Sequence, residues 1–259
     1  MSSKSGTGGG RKQGALRHVL AGTFLFAALV AVAPPAIGAA DCPARREPRL
    51  PPLEPPADNL SRHKKQLKAY HDGAYEEDLR LVYADAHDYV EKRIGDAVKR
   101  PAVVLDIDET TLSNWLPTET NDFGYIAGGA CSEEPTFSCG FNDWIDRKSA
   151  PPIPGALDFF KFAVAKDVAV FFITGRRNSQ REATLVNLDR VGFQGWAGLR
   201  TRPDGDHNKS VVPFKSGERL KIEGDHYTII ANVGDQDSDL AGGHPDCTFK
   251  LPNPFYFIE

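Results

Sequence analysis

The chain has no excess of basic residues: 31 Lys and Arg against 35 Asp and Glu leave a net charge of -4 over 259 residues. That argues against a nucleic-acid polymer as partner, because such partners select a basic patch or stripe. Cysteine is scarce, with four residues, Cys42, Cys131, Cys139 and Cys247. None forms a CxxC pair or a Cys/His cluster with zinc spacing, so no zinc site is expected. No twelve-residue acidic loop with a central Gly and a closing Glu is present, which argues against a calcium loop. No internal repeat is visible, and the one long apolar run, Val19–Val32, is shorter than the roughly 20 residues that a membrane span needs. The remaining composition, 41% hydrophobic and 25% charged, is that of a globular protein.

The apolar run has a recognisable setting. Lys4, Arg11, Lys12 and Arg17 precede it without an acidic residue, and Pro34, Pro35 and small residues up to Ala40 follow it. This is the pattern of a secretory signal, with cleavage expected after Ala40 or Gly38; an uncleaved signal anchor is the competing reading. Asp41 precedes Cys42, where a lipoprotein signal would place a small residue, so no stable membrane anchor is expected. Loss of the four leader charges takes the chain from -4 to about -8. The mature protein is therefore expected to be secreted, or to sit in the periplasm or cell envelope. An even cysteine count in an exported chain favours disulfides. Cys131 and Cys139 share one Gly- and Ser-rich loop and could close on each other, leaving Cys42 for Cys247, but four cysteines allow three pairings.

Residues 41–59, rich in Pro, Arg and Glu, read as an extended linker. Residues 60–259 read as one folded domain, opened by helices and carrying an insertion. Helical spacing runs from about Ser61 to Val98 through Leu67, Tyr70, Ala74, Val82, Ala86, Tyr89 and Val90, with Gly73 as a possible break. Ala102–Leu105 is a buried strand ending at Asp106. Residues 113–153 lack a clear period and read as an insertion forming a cap. Alternation then resumes: a helix over Gly155–Lys166, a strand over Val168–Ile173, a helix over Ser179–Val191 capped by Ser179 or Asn178, a short strand near Leu199, a helix over about Ser216–Glu223, and a strand over Tyr227–Val233. Strands alternating with helices predict an α/β fold: a Rossmann-like parallel sheet with helices on both faces and a small helical and loop cap.

Three apolar strands end in polar residues, at 106–110, 174–176 and 234–239. Ligand sites of open α/β sheets lie beyond the carboxyl ends of the strands, so these segments are expected to meet. Asp106 and Asp108 alternate with Ile107 and so share a side of the extended chain. Two close carboxylates repel unless a cation or a shared proton compensates, and a hard, oxygen-seeking cation such as magnesium fits. The acidic stretch 234–239 could complete its shell. Thr174 and the amides near Gly175 can donate to phosphoryl oxygens, Lys215 can supply a point charge, and an Asp carboxylate can act as a covalent nucleophile.

The four segments VVLDIDETTLSN, FFITGRR, PFKSGERLKI and NVGDQDSDL resemble, in order, the four motifs of the haloacid dehalogenase-like phosphatases. DIDET, FNDWI before APPIPGALDFF, and TGRR are similar to the exported acid phosphatase branch, the bacterial class C enzymes and plant vegetative storage proteins. The resemblance spans residues 60 to 258. It implies a Mg2+-dependent acid phosphatase that hydrolyses phosphate monoesters through an aspartyl phosphate. Asp106 would be the nucleophile and a metal ligand. Asp108 would be the general acid and then base, with its backbone carbonyl on the metal. Thr174 would bond the phosphoryl oxygen, Lys215 would pair with both the phosphoryl group and Asp106, and Gly175 and Arg176 would lie at the substrate. Asp235 would ligate the metal, Asp239 would support it directly or through water, and Asp237 falls at a variable position. The plant storage proteins can lack the nucleophile; Asp106 is present here.

Several residues keep a plainer alternative. Lys209 and Lys221 lie near Lys215 and could be mistaken for it. Arg176 could bind substrate or form a surface ion pair. Trp115, Tyr125, Phe141 and Trp144 could stack on an aromatic leaving group, which points to a small-molecule phosphomonoester, with nucleotides and aryl phosphates as the suited classes. His207, His226 and His244 have no catalytic spacing. A phosphotransferase and a non-catalytic storage or binding protein are the alternatives.

Overall fold

A computed structural model describes residues 42–258 apart from residues 54, 56–58 and 132–138. The expected leader therefore lies outside the described residues. Five parallel strands form one sheet: β1 (Pro101–Leu105), β2 (Ala169–Arg177), β3 (Gly198–Arg202), β4 (Thr228–Gly234) and β5 (Cys247–Lys250), in the order β3-β2-β1-β4-β5. From the central β1 the chain builds outward to β2 and β3, then crosses to β4 and β5 on the other side. The switch point thus falls between β1 and β4, which pair in parallel from Pro101 with Thr228 to Leu105 with Val233.

Eight α-helices are described: α1 (Leu60–Tyr70), α2 (Glu76–Gly95), α3 (Trp115–Thr120), α4 (Phe141–Arg147), α5 (Ala156–Ala165), α6 (Arg181–Arg190), α7 (Val212–Gly224) and α8 (Asp237–Leu240). Alternation along the strands explains how the sheet is covered. Val103, Leu105, Val170 and Phe172 face a core shared with Leu79, Val82 and Ala86 of α2 and Phe159 and Phe160 of α5. Ala102, Val104, Phe171 and Ile173 face the opposite layer with Ile222 of α7. β1, sandwiched on both faces, reads as a continuous apolar run for that reason.

Gly73 does not end the first helical segment. His71–Tyr75 forms a π-helical turn that joins α1 directly to α2. Nothing lies within 4 Å of where a Gly73 side chain would begin. Neither Ser179 nor Asn178 caps α6: they open a short 3-10 turn, Asn178–Gln180, before it. Ser179 instead bonds Asp204, while Asn178 accepts from Thr201. Helix α7 begins one turn earlier than its apolar spacing suggests, with a proline in its first turn, where the missing N–H costs nothing. Strand β5 has no counterpart in the sequence reading. Within residues 113–153 the described parts hold the short helices α3 and α4.

The stretch read as a linker is pinned. Residues 42–53 have no regular secondary structure, yet Arg46 pairs with Asp85 and Arg49 with Asp78, both on α2, and Pro51 O accepts from Gln66. Two disulfides close the chain, Cys42–Cys247 and Cys131–Cys139. The first ties the start of the described chain to β5 across 205 residues. Among the described residues no helix is long and apolar enough to cross a membrane.

Replacing Cys42 and Cys247 together by Ser should lower stability to urea by about 2–5 kcal/mol. The Cys131/Cys139 pair, only 8 residues apart, should give a smaller loss. Equal losses in equilibrium unfolding would contradict this ordering.

Candidate active site

The carboxyl ends of β1, β2 and β4 open into one cleft of about 680 Å³. Asp106 begins it: its N–H continues the ladder to Val233 O at 3.1 Å, and its own carbonyl accepts from Thr111 Oγ1 at 2.5 Å. The chain then turns sharply. The N–H groups of Thr111 and Leu112 both reach back to Ile107 O at 2.8 Å. Glu109 takes a left-handed conformation, φ 51°, uncommon for a residue with a side chain.

Lys215, at the end of the first turn of α7, is buried between two acids, 2.5 Å from Asp106 Oδ1 and 2.6 Å from Asp239 Oδ1. Burial alone would lower its pKa, but the charges of Asp106 and Asp239 outweigh it and hold the ammonium above the ordinary lysine value. Asp239 reaches this position because α8 folds back onto the end of β4. Its Oδ2 accepts the Gln236 N–H at 2.9 Å, and its carbonyl is held by Arg219 Nη1 and Asn232 Nδ2 at 2.7 and 3.0 Å. Gly234 permits the fold-back, since a Cβ there would lie 2.5 Å from Asp239 Cβ. Asp235 is also buried and accepts from Thr110 Oγ1 at 3.1 Å and from Gln236 Nε2 and Asn253 Nδ2 at 2.7 Å each.

Asp108 faces a different partner. Arg176 grips its carboxylate from Nε and Nη2, at 3.1 and 2.7 Å, and Asn114 Nδ2 donates to Oδ1 at 2.8 Å. Arg176 is buried, so its pair with Asp108 is not a surface ion pair. Thr174 is buried behind the cleft wall, where its hydroxyl accepts the Arg176 N–H at 3.1 Å; Gly175 and Arg176 form the wall. A register shift in the β2–β3 pairing between Thr174 and Arg177 aims this segment. The competing residues separate cleanly. Lys221 is exposed and pairs with Glu218, and Asp237 is exposed and pairs with Arg45. Lys209 reaches only the cleft lining.

The donor set suits a hard divalent cation. Asp106, Asp235 and Asp239 each offer a carboxylate oxygen within 4.8 Å of the others. Counting Asp108, four acids meet two bonded cations, Lys215 and Arg176, leaving two negative charges that one divalent ion would balance. The site is costly without it. Burial, then the Asp239 charge, pushes Asp235 up to about 6, against the hydrogen bonds from Asn253 and Gln236. Burial likewise raises Asp106, with Lys215 opposing and the other acids reinforcing. All three candidate donors are carboxylate oxygens, which Mg2+ and similar ions prefer.

Of the aromatics considered from sequence, Tyr125 and Phe141 line the cleft. Trp144 is buried and donates to Asn114 Oδ1 at 2.9 Å, and Trp115 stacks on His71 at 3.5 Å. His244 pairs with Glu223 in the last turn of α7. Sequence reasoning missed Asn114, Gln236, Asn253 and the segment from Phe255 to Ile258 that completes the cleft. Asn114 closes the quoted string DIDETTLSN and could have been found there; Asn253 lies in a stretch without any motif.

A family profile described as "HAD superfamily, subfamily IIIB (Acid phosphatase)" matches residues 57–259. Acid phosphatase 1 of Solanum lycopersicum is 32% identical over 71% of this chain and 69% of its own length. Vegetative storage protein 1 of Arabidopsis thaliana is 30% identical over 71% of this chain and 65% of its own. Among solved structures, the class C acid phosphatase from Bacillus anthracis aligns with TM-score 0.60 over 76% of this chain and 86% of its own, at 22% identity, and so shares the fold.

The raised Asp235 sets a pH dependence. Its folded pKa of about 6 lies above the ordinary 3.8, so the metal-free fold favours the protonated acid, and the stability this contributes at low pH is lost as pH rises from about 4 through about 6, on the order of a few kcal/mol in all. In EDTA the melting temperature should fall between about pH 4 and 6.5, and Asp235→Asn should flatten that slope. A flat profile in the unsubstituted protein would count against a buried, uncompensated acid cluster.

Proposed function

The chain belongs to the HAD-superfamily subfamily IIIB acid phosphatases, and from that membership we propose that it is an exported, magnesium-dependent phosphomonoesterase with Asp106 as covalent nucleophile. The observation that carries this is the convergence of Asp106, Asp108, Lys215 and Asp235 on one cleft at the strand switch point. Export is supported by the leader pattern and by two disulfides, which persist in oxidising compartments.

Asp106 would attack phosphorus through the carboxylate oxygen that Lys215 leaves free. An O–P bond forms to Asp106 as the ester P–O bond breaks, and a proton from Asp108 goes to the leaving oxygen. Water then attacks the phosphoaspartate; Asp108 takes its proton, the Asp106 O–P bond breaks, and inorganic phosphate leaves. Arg176 pairs with Asp108 in the resting site. An arriving phosphoryl dianion would compete for the guanidinium and free Asp108 to hold a proton. Thr174 would donate to the phosphoryl group, alongside the Gly175 amide. Lys215 would keep Asp106 ionised for attack and then neutralise charge on the transferring group. Asp106, Asp235 and the Asp108 carbonyl would hold Mg2+, which supplies positive charge to the transferring phosphoryl group. Asp239, whose carboxylate lies with those of Asp106 and Asp235, would support it directly or through water.

The similarity to a plant vegetative storage protein gives a storage role as the second reading. Storage or binding needs neither a nucleophile nor a general acid, so the presence of Asp106 and Asp108 at the strand end supports the catalytic reading. Tyr125 is 78% exposed and Phe257 74% exposed, and both line the cleft mouth beside Phe141. We therefore propose esters with an aromatic or nucleoside leaving group as the substrates.

Phosphate release from an aryl phosphate and a panel of 5'-nucleotides should vanish with EDTA and return with Mg2+. Asp106→Asn should reduce it by roughly 10^4-fold or more; turnover that survives this change would sink the covalent route. Glycerol as competing acceptor distinguishes transfer from hydrolysis by the appearance of glycerol phosphate. Separately, Tyr125→Ala and Phe141→Ala should raise KM for aryl and nucleoside esters by about 2- to 10-fold relative to glycerol phosphate. An equal change for both substrate classes would remove stacking from the account.

A further inference from the structure

Two side-chain amides converge on one oxygen of Asp235. Asn253 Nδ2 and Gln236 Nε2 each donate to Asp235 Oδ2 at 2.7 Å. Each amide turns its oxygen to the backbone of the segment after β5. Asn253 Oδ1 accepts the Phe255 N–H at 3.0 Å, and Gln236 Oε1 accepts the Ile258 N–H at 3.1 Å. This arrangement fixes both amide orientations, because an amide oxygen turned towards Asp235 would face a carboxylate with no proton between them. The same pair of side chains thus touches a candidate metal ligand at one end and the tail backbone at the other.

The segment is held in two different ways. Phe255 is buried in an aromatic cluster, its ring 5.0 Å from both Tyr75 and Trp115 and 6.3 Å from Tyr70. Beyond it, Phe257 and Ile258 stand largely exposed at the cleft mouth. Little apolar packing offsets the entropy of ordering these last residues, so the Gln236 bond to Ile258 carries a large share of their docking. Gln236 is anchored at its other end on Asp235, and its side chain also caps the start of α8 by accepting the Asp239 N–H.

We propose that Asn253 and Gln236 are positioning residues that couple docking of the segment 253–258 to cation binding at Asp235. The inference rests on the metal reading given above. Their N–H groups fix the orientation of the Asp235 carboxylate by meeting on its Oδ2. Outer-shell partners of this kind orient a ligand and tune metal affinity. Because linkage is reciprocal, a cation that fixes Asp235 also fixes the two amides and, through them, the cleft wall. Metal binding and completion of the substrate pocket become one event.

Mg2+ titration calorimetry on the full chain, without substrate, tests this directly. Asn253→Ala and Gln236→Ala should each weaken Mg2+ binding by about 10- to 100-fold. Phe257→Ala, which removes a tail side chain but neither bridge, should leave the affinity within about twofold on the same reasoning. Hydrogen exchange supplies the reciprocal readout: Mg2+ should slow exchange of the Ile258 amide in the unsubstituted protein, and Gln236→Ala should abolish that protection. The exchange measurement decides the matter even if an alanine variant fails to fold. Unchanged Mg2+ affinity in both amide variants, or Ile258 exchange indifferent to Mg2+, overturns the coupling alone. Absence of Mg2+ binding by the unsubstituted protein overturns the coupling and the magnesium reading together.

Discussion

The ammonium of Lys215, buried between Asp106 and Asp239, is the interaction on which the site depends. Removing one partner of a buried ion pair leaves a charge with neither water nor counter-ion, and here it would leave the acids on each other. The fold has to deliver three groups to one point. β1 carries Asp106, the turn after β4 carries Asp239, and α7 crosses the opposite face of the sheet to bring Lys215 between them. A sheet ordered β3-β2-β1-β4-β5 meets that demand because its switch point makes β1 and β4 neighbours.

Around this triad a second layer holds backbone rather than charge. Arg219 is fully buried and donates to the carbonyls of Asp239, Ala241 and Gly243, so a large cation serves to fix one loop after β4. Asn114 works similarly on the other side. It joins Asp108 to Trp144 of α4, and its N–H donates to Glu109, whose other oxygen accepts from Tyr75 at 2.9 Å. Burial, opposed by the Asn114 N–H, lifts Glu109 to about 7. The cap and the π-turn between α1 and α2 are therefore wired into the strand end that holds the acids.

How much of this could be read in the sequence depended on distance along the chain. β1, β2 and β4 announce themselves as apolar runs closing on polar residues, because both of their faces are buried. Asp106, Asp108, Lys215, Asp235 and Asp239 then follow from the ends of those runs and from motif order. β5, four residues with Thr248 exposed, is too short and too mixed to stand out. The Gly73 break failed because an i to i+5 turn absorbs a glycine without ending a helix. Asn253 was invisible: the carboxylate it binds lies 18 residues away and no periodicity marks an amide that acts through its own hydrogen bonds. Roles that belong to a strand leave a pattern; roles that belong to one hydrogen bond do not.

The Cys42–Cys247 bridge carries a consequence for the order in which the molecule is assembled. It joins the first described residue to the sheet's outermost strand, 205 positions later. β5 has no place to pair until β4 is down, and β4 requires β1, whose other edge takes β2. Chains whose contacts are mostly non-local must meet a large loop-closure cost before those contacts reward it. In the native arrangement the two cysteines meet once β4 lies on β1 and β5 on β4, so the bridge serves as a lock on an edge of the sheet that non-local pairing has built.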